Sequence, residues 1–239
     1  MREGCPRARA RRARHPAPQA SALQTRAMHL QPRERRWQLA LLPPQCCLCG
    51  LPADDDRDLC RACAAALPAP GPVCRRCGEA LPRDALPWPC GRCQRRPPPW
   101  QALQARCRWS PPVATIVHRL KFGGHTECAR VMAELMTEAP PPFLTPAAVL
   151  VPVPLHWRRR WRRGFDQAEL LAARLALLTG RTVLPGALRR RRATAAQSGL
   201  PARRRRRALR GAFTARASSF PAEVILIDDV ATTGATLAA

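Results

Sequence analysis

The chain of 239 residues contains no tyrosine, and Lys121 is the single lysine among its 41 basic residues. Aromatic side chains make up only 5% of it, so no stacking platform for a nucleobase stands out. The near-absence of lysine beside abundant Ala and Pro marks an arginine usage set partly by coding bias. The formal net charge of +25 is discounted accordingly as evidence for a polyanionic partner. Lys121 is then the exception that hints at a specific demand. No stretch reaches the ~20 apolar residues of a membrane-spanning helix. The Arg-rich N-terminus lacks the apolar segment of a signal peptide, and Arg11-Arg12 lead into no hydrophobic run. The protein is expected in the cytoplasm. Residues 1–36 show no helical or strand periodicity, and only a short apolar lead-in, Trp37 to Leu42, follows. Residues 1–43 are therefore read as a basic, disordered tail, with Met28 as an alternative start.

What the chain does have is cysteine, 12 residues in all. Eight of them form the Cys-x-x-Cys pairs Cys46/Cys49, Cys60/Cys63, Cys74/Cys77 and Cys90/Cys93. Two such pairs converging make a closed tetrahedral thiolate site, for which zinc is the usual occupant, and closed sites are structural. Residues 44–96 hold few aliphatics and need a metal staple, which predicts two zinc ions in a double zinc ribbon. The first site is assigned to Cys46, Cys49, Cys60 and Cys63, the second to Cys74, Cys77, Cys90 and Cys93. Cross-braced pairing stays open at this point. Redox pairs are the rival reading, disfavoured by four repeats at short intervals. Cys107 and Cys128 are expected as small buried hydrophobes.

After Pro97-Pro98-Pro99 the pattern changes. Ala102 to Trp109 reads as a strand, while Val113 to Leu120 and Cys128 to Glu138 read as helices separated by Gly123-Gly124. Residues 147–154 form a continuous apolar run of the buried parallel-strand kind, ended by Pro152 and Pro154. Phe165, Ala168, Leu171, Leu175 and Leu178 recur at helical spacing between Gly164 and Gly180, with Asp166 placed to cap the start. Short strands are expected at 182–184 and 212–214, and a buried one at 224–227. Alternating strands and helices predict a mostly parallel α/β sheet flanked by helices over residues 101–239.

The most informative stretch is 224–236, Val-Ile-Leu-Ile-Asp-Asp-Val-Ala-Thr-Thr-Gly-Ala-Thr. Ligands of open α/β sheets bind beyond the carboxyl ends of strands. A loop of small residues lets backbone N–H groups approach a phosphate, and a following helix adds its positive end. Thr232, Thr233 and Thr236 supply hydroxyl donors. An acidic pair repels phosphate, so Asp228 and Asp229 must serve something else, and sugar hydroxyls or Mg²⁺ fit.

This stretch matches the phosphoribosyl pyrophosphate (PRPP) signature of type I phosphoribosyltransferases. Further motifs narrow the resemblance: Leu120-Lys121-Phe122, Val151-Pro152-Val153-Pro154-Leu155-His156, Arg163-Gly164-Phe165-Asp166-Gln167, then Thr194, Gln197, Leu200 and Gly211-Ala212-Phe213. With the cysteine pairs, residues 44–239 resemble the ComF family of competence-associated, phosphoribosyltransferase-like proteins with an N-terminal double zinc ribbon. The resemblance implies that Asp228 and Asp229 are the catalytic acids, holding the ribose 2′- and 3′-hydroxyls. It implies that Ala231, Thr232, Thr233, Gly234, Ala235 and Thr236 cradle the 5′-phosphate, and that Mg²⁺ accompanies PRPP. It further implies a pyrophosphate loop containing Leu155, His156, Arg158, Arg159 and Arg163, and a lid over residues 189–210. Asp166 departs from the usual Asn of the family, adding negative charge near that loop. Relatives continue past the helix that Ala239 barely enters, so the domain is expected to be C-terminally truncated. Two functions follow as expectations. One is a phosphoribosyltransferase-type protein binding PRPP or a nucleotide in DNA uptake, competence or nucleotide metabolism. The other is a non-catalytic protein binding single-stranded DNA, a partner of the DNA-uptake machinery, through its zinc ribbons and Arg-rich segments.

Overall fold

A computed structural model describes residues 44–53, 57–84, 89–193, 207–216, 220–232 and 234–239. Its helices, numbered in chain order, are α1 (Arg61–Ala65), α2 (Gly91–Arg95), α3 (Pro111–Phe122), α4 (Glu127–Glu138), α5 (Trp157–Arg163) and α6 (Gln167–Thr179). The strands are β1 (Val149–Pro152), β2 (Leu188–Arg190), β3 (Phe213–Ala215) and β4 (Val224–Ile227).

The two apolar runs read as buried strands pair with each other. β1 and β4 are parallel, in the register Val149↔Val224 to Pro152↔Ile227. On the other side of β1, Leu150 forms a parallel bridge to Val183, where a short strand was expected. β1 is thus the middle of a small parallel sheet, and Leu150 and Val151 are buried. β2 and β3 form a separate antiparallel pair. The other edge of β4 has no strand partner among the described residues, and Val224 and Leu226 are each 37% exposed along a cavity of about 690 Å³.

Helix α6 covers this sheet. Ala168, Leu171, Ala172 and Leu175 are buried, and the last three pack with Ala133 of α4, Leu150 and Ile227. Asp166 caps α6, its Oδ1 accepting the Ala168 N–H at 3.0 Å, and Gly180 ends it with φ 68°. The helical stripe stops one turn short of expectation, since Leu178 is 49% exposed.

The cysteine module packs on α3 and α4. Cys46, Cys47 and Leu59 share a core with Ile116, Leu120, Cys128 and Val131. Arg130 pairs with Asp58 at 2.7 Å, and Arg119 donates to the Cys47 carbonyl. The strand expected over Ala102 to Trp109 does not form. Its backbone serves the cysteine module instead: Leu103 N–H donates to the Arg75 carbonyl at 3.0 Å and Arg108 N–H to the Pro68 carbonyl at 3.1 Å. Cys128 is fully buried as expected, whereas Cys107 is only half-buried. Among the described residues no helix is long and apolar enough to cross a membrane.

Candidate functional site

Each cysteine cluster gathers four thiols whose sulfurs lie within 4.8 Å of one another: Cys46, Cys49, Cys60 and Cys63, and separately Cys74, Cys77, Cys90 and Cys93. The sequential pairing therefore holds over the cross-braced one. Cys49 and Cys60 Sγ stand 3.8 Å apart, as do Cys77 and Cys90 Sγ. A tetrahedron with Zn–S of about 2.3 Å has edges of about 3.8 Å, so the spacing fits zinc. Burial raises the Cys46 and Cys74 thiols, but backbone N–H groups aimed at the sulfurs outweigh it and bring both to about 6. Burial and neighbouring thiols push Cys63 and Cys93 up to about 12. Four ionised sulfurs so close together need a cation among them. Cys47, adjacent to a ligand, turns away into the core; its thiol is pushed up by Cys128 and by burial.

At the mouth of β4 the chain turns. Asp229 N–H donates to Asp228 Oδ1 at 2.9 Å. The Asp229 side chain is only 4% exposed and ion-paired through Oδ2 with Lys121 Nζ at the end of α3. Its Oδ1 lies 3.5 Å from Gln167 Nε2, which donates to it, and Gln167 in turn accepts from Arg163. Burial and the neighbouring Asp229 hold the Asp228 carboxyl well above the usual carboxylate range, with Lys121 opposing them. Two acids have been brought together at the carboxyl end of a parallel strand, with Lys121 paired to one of them.

Beyond them, Asp228, Ala231, Thr232, Gly234, Ala235 and Thr236 line one small depression. Thr233 lies outside the described residues. The Ala238 N–H donates to the Gly234 carbonyl at 3.0 Å, the first helical turn expected after the loop. Gly234 is required twice. Its φ is 66°, in the left-handed region, and a Cβ there would stand 2.5 Å from Trp100 Cη2. Trp100 itself donates from Nε1 to the Arg76 carbonyl, inside the second cysteine knuckle, at 2.6 Å.

The segment after β1 supplies the basic side. His156 is buried and serves as N-cap of α5, its Nδ1 accepting the Arg158 N–H at 3.3 Å. Burial, then Arg158 and Arg190, push its pKa down, so it caps as the neutral ring. Leu155 N–H donates to Asp166 Oδ2 at 2.7 Å. Both Asp166 oxygens are therefore occupied by backbone donors, and the residue's negative charge is spent holding the loop against α6 rather than facing a ligand. On α5, Arg159 and Arg163 are half-buried while the remaining five residues are exposed. Burial lowers the Arg163 pKa and the nearby Asp229 and Asp166 oppose it; burial and Arg159 lower Arg190, with Asp228 opposing. Arg159 lies beside Arg163 and Arg190, and Arg163 thus belongs to the acidic pair's surroundings. Arg158 does not, because its guanidinium lies over the Trp157 ring, 5.2 Å from the centroid. The expected lid over 189–210 is described only at its base, in β2 and residues 207–210; Thr194, Gln197 and Leu200 lie outside the described residues.

Three contributors had no assigned role in the sequence: Lys121, Gln167 and Trp100. Lys121 alone gave a signal, as the only lysine in an arginine-rich chain.

A family model for the double zinc ribbon domain matches residues 38–107. DNA utilization protein YhgH of Salmonella typhimurium is 37% identical over 203 residues, covering 82% of this chain and 88% of the relative. The YhgH protein of Escherichia coli K12 shows the same identity and coverage. Competence protein F of Haemophilus influenzae is 34% identical over 157 residues, 62% of this chain and 68% of that protein. No solved structure matches the chain. With two four-cysteine clusters ahead of a small parallel sheet and this likeness over most of its length, the chain belongs to the ComF family, which includes the YhgH proteins and Competence protein F.

Proposed function

We propose that this protein binds PRPP or a related ribose phosphate with Mg²⁺, through a type I phosphoribosyltransferase-like domain over residues 101–239, in the handling of DNA or nucleotides. The observation that carries the proposal is the turn after β4. An acidic pair, with the Asp229 side chain buried, stands at the mouth of a parallel strand, followed at once by a depression lined mostly by small residues that opens a helical turn.

In this reading Asp228 and Asp229 orient the ribose hydroxyls, and Ala231 to Thr236 surround the 5′-phosphate. Lys121 and Gln167 fix the Asp229 carboxylate. Arg159 and Arg163, with Leu155 and His156 shaping the loop, face a pyrophosphate with planar guanidinium forks. The elevated Asp228 carboxyl marks acidic crowding that a divalent cation would relieve, so the donors fit Mg²⁺, held by Asp228 and Asp229 with the ligand. Bound there, Mg²⁺ would offset pyrophosphate charge. The protein's own share of phosphoribosyl transfer is orientation: phosphate held at both ends and the sugar between them.

Calorimetric titration of PRPP with Mg²⁺ into the zinc-loaded protein tests this. Saturable, Mg²⁺-dependent binding abolished by Asp229→Asn is expected. A folded protein that takes up no PRPP refutes it.

A second reading is binding of single-stranded DNA, favoured by relatives named for DNA utilization and competence and by arginine runs at 189–192 and 203–207. It predicts oligonucleotide binding that weakens steeply with salt. Binding that is indifferent to salt would sink it.

A further inference from the structure

Helix α5, Trp157–Arg163, reads Trp-Arg-Arg-Arg-Trp-Arg-Arg. At about 100° per residue its side chains sort into rows. Arg159 and Arg163 form one row, the two half-buried residues of the helix, and Arg163 lies near Asp229. Trp157 and Trp161 form another, on the opposite side of the helix, and are 61% and 84% exposed. Arg158 and Arg162 form a third row beside the indoles. Arg160 flanks them on the other side, tied to Glu169 at 2.8 Å. The helix therefore serves two faces at once, and the pocket uses only one of them.

The outward face needs its own explanation. Two neighbouring indoles left in water are costly in a chain with only 5% aromatic residues. They lie about 6 Å apart along the helix axis, from four residues at about 1.5 Å each. That is close to twice the about 3.4 Å rise of stacked bases. A row of planar rings beside a row of guanidinium groups matches a single nucleic-acid strand, whose bases and phosphates lie on separate sides. Arg158 already stacks on Trp157, holding that ring's cationic neighbour in place. The charge is complementary, since this helix carries five arginines in seven residues. A lipid surface fits less well. Interfacial helices bind by buried apolar area, and two turns with two rings supply little.

We infer that the Trp157/Trp161 face of α5 is a stacking site for unpaired bases of single-stranded DNA, with Arg158 and Arg162 on its phosphates. The inference rests on the nucleic-acid reading above and gives it a location, outside both the zinc ribbons and the arginine runs at 189–192 and 203–207.

The test is fluorescence anisotropy of labelled oligo-dT with the full, zinc-loaded chain at several salt concentrations. Trp157→Ala/Trp161→Ala should weaken binding at least about tenfold while leaving the salt slope in place. Trp157→Phe/Trp161→Phe should retain most affinity, because a ring face remains. Arg158→Gln/Arg162→Gln should instead lower the slope by about 1.4, at about 0.7 per phosphate. Both indoles are exposed, so the alanine variant folds; a circular dichroism melt checks it. If wild type and alanine variant bind oligo-dT equally, this face is wrong although DNA binding stands. If wild type binds no oligo-dT, the nucleic-acid reading fails and the inference with it. Binding to phosphatidylserine vesicles in place of oligo-dT would overturn it in favour of a membrane surface.

Discussion

Replacing Lys121 by Met keeps the aliphatic stem and removes the charge that faces Asp229. The Asp229 side chain is 4% exposed and the Lys121 side chain 23%, so the pair is only partly screened. Unit charges about 4 Å apart attract by about 4 kcal/mol at an effective dielectric of about 20. Removing one member of a buried pair costs about 3–5 kcal/mol, because the other is left uncompensated. Lys121 still touches solvent, and screening lowers the cost to about 2–3 kcal/mol. At about 2–4 °C per kcal/mol for a chain of this size, Tm should fall by about 5–10 °C at about pH 7. The pH dependence carries the sharper test. The Asp228 carboxyl is raised in the folded state, so folding takes up a proton there and stability falls as pH rises above the ordinary carboxylate range. Lys121 opposes that rise. Its loss should therefore hurt most near neutrality and progressively less toward about pH 4, where Asp228 holds its proton. Thermal melts of wild type, Lys121→Met and Lys121→Arg without added Mg²⁺ give the answer. Lys121→Arg should recover part of the deficit. A Met variant that melts with wild type near neutrality, or loses the same increment in acid, refutes the reasoning.

Asp228→Asn removes the ionised form that burial and Asp229 penalise, so near neutral pH it should raise Tm while abolishing PRPP binding; lowered Tm in the ligand-free protein would contradict the electrostatics. Gly234→Ala meets both the positive φ and the Trp100 ring, and should cost about 1–3 kcal/mol, partly recovered by Trp100→Ala; full recovery would mean that φ contributes nothing. Stripping zinc with a chelator should lower the Tm of the whole chain, because the first ribbon shares a core with α3 and α4; an unchanged main transition, with metal analysis confirming loss, would show the ribbon to be thermally independent.

The features legible in the sequence are those encoded over short distances. Cys-x-x-Cys spacing names its ligands, and four consecutive aliphatics before an acidic pair name a strand and its mouth. Asp166 and Gly180 bracket α6 because capping is decided within a turn. The illegible features join distant residues. Nothing local in Trp100 says that it reaches Gly234, and Gln167 gives no hint that Asp229 lies beside it. The strand expected over 102–109 failed for the same reason: two of its N–H groups found carbonyls at Arg75 and Pro68, far upstream in the cysteine module. Leu178 fits its periodic pattern, yet α6 runs past the edge of what it covers.

Trp100 has a consequence for how this protein can be taken apart. Its indole N–H is anchored on the Arg76 carbonyl, between two cysteines of the second cluster, and its ring forms the wall against Gly234. The ribbon is therefore no detachable accessory. A fragment beginning at residue 101 would lack the wall. The second cysteine knuckle and the wall beside Gly234 are joined through one indole, so dissecting the domains would remove a contact that the intact chain makes.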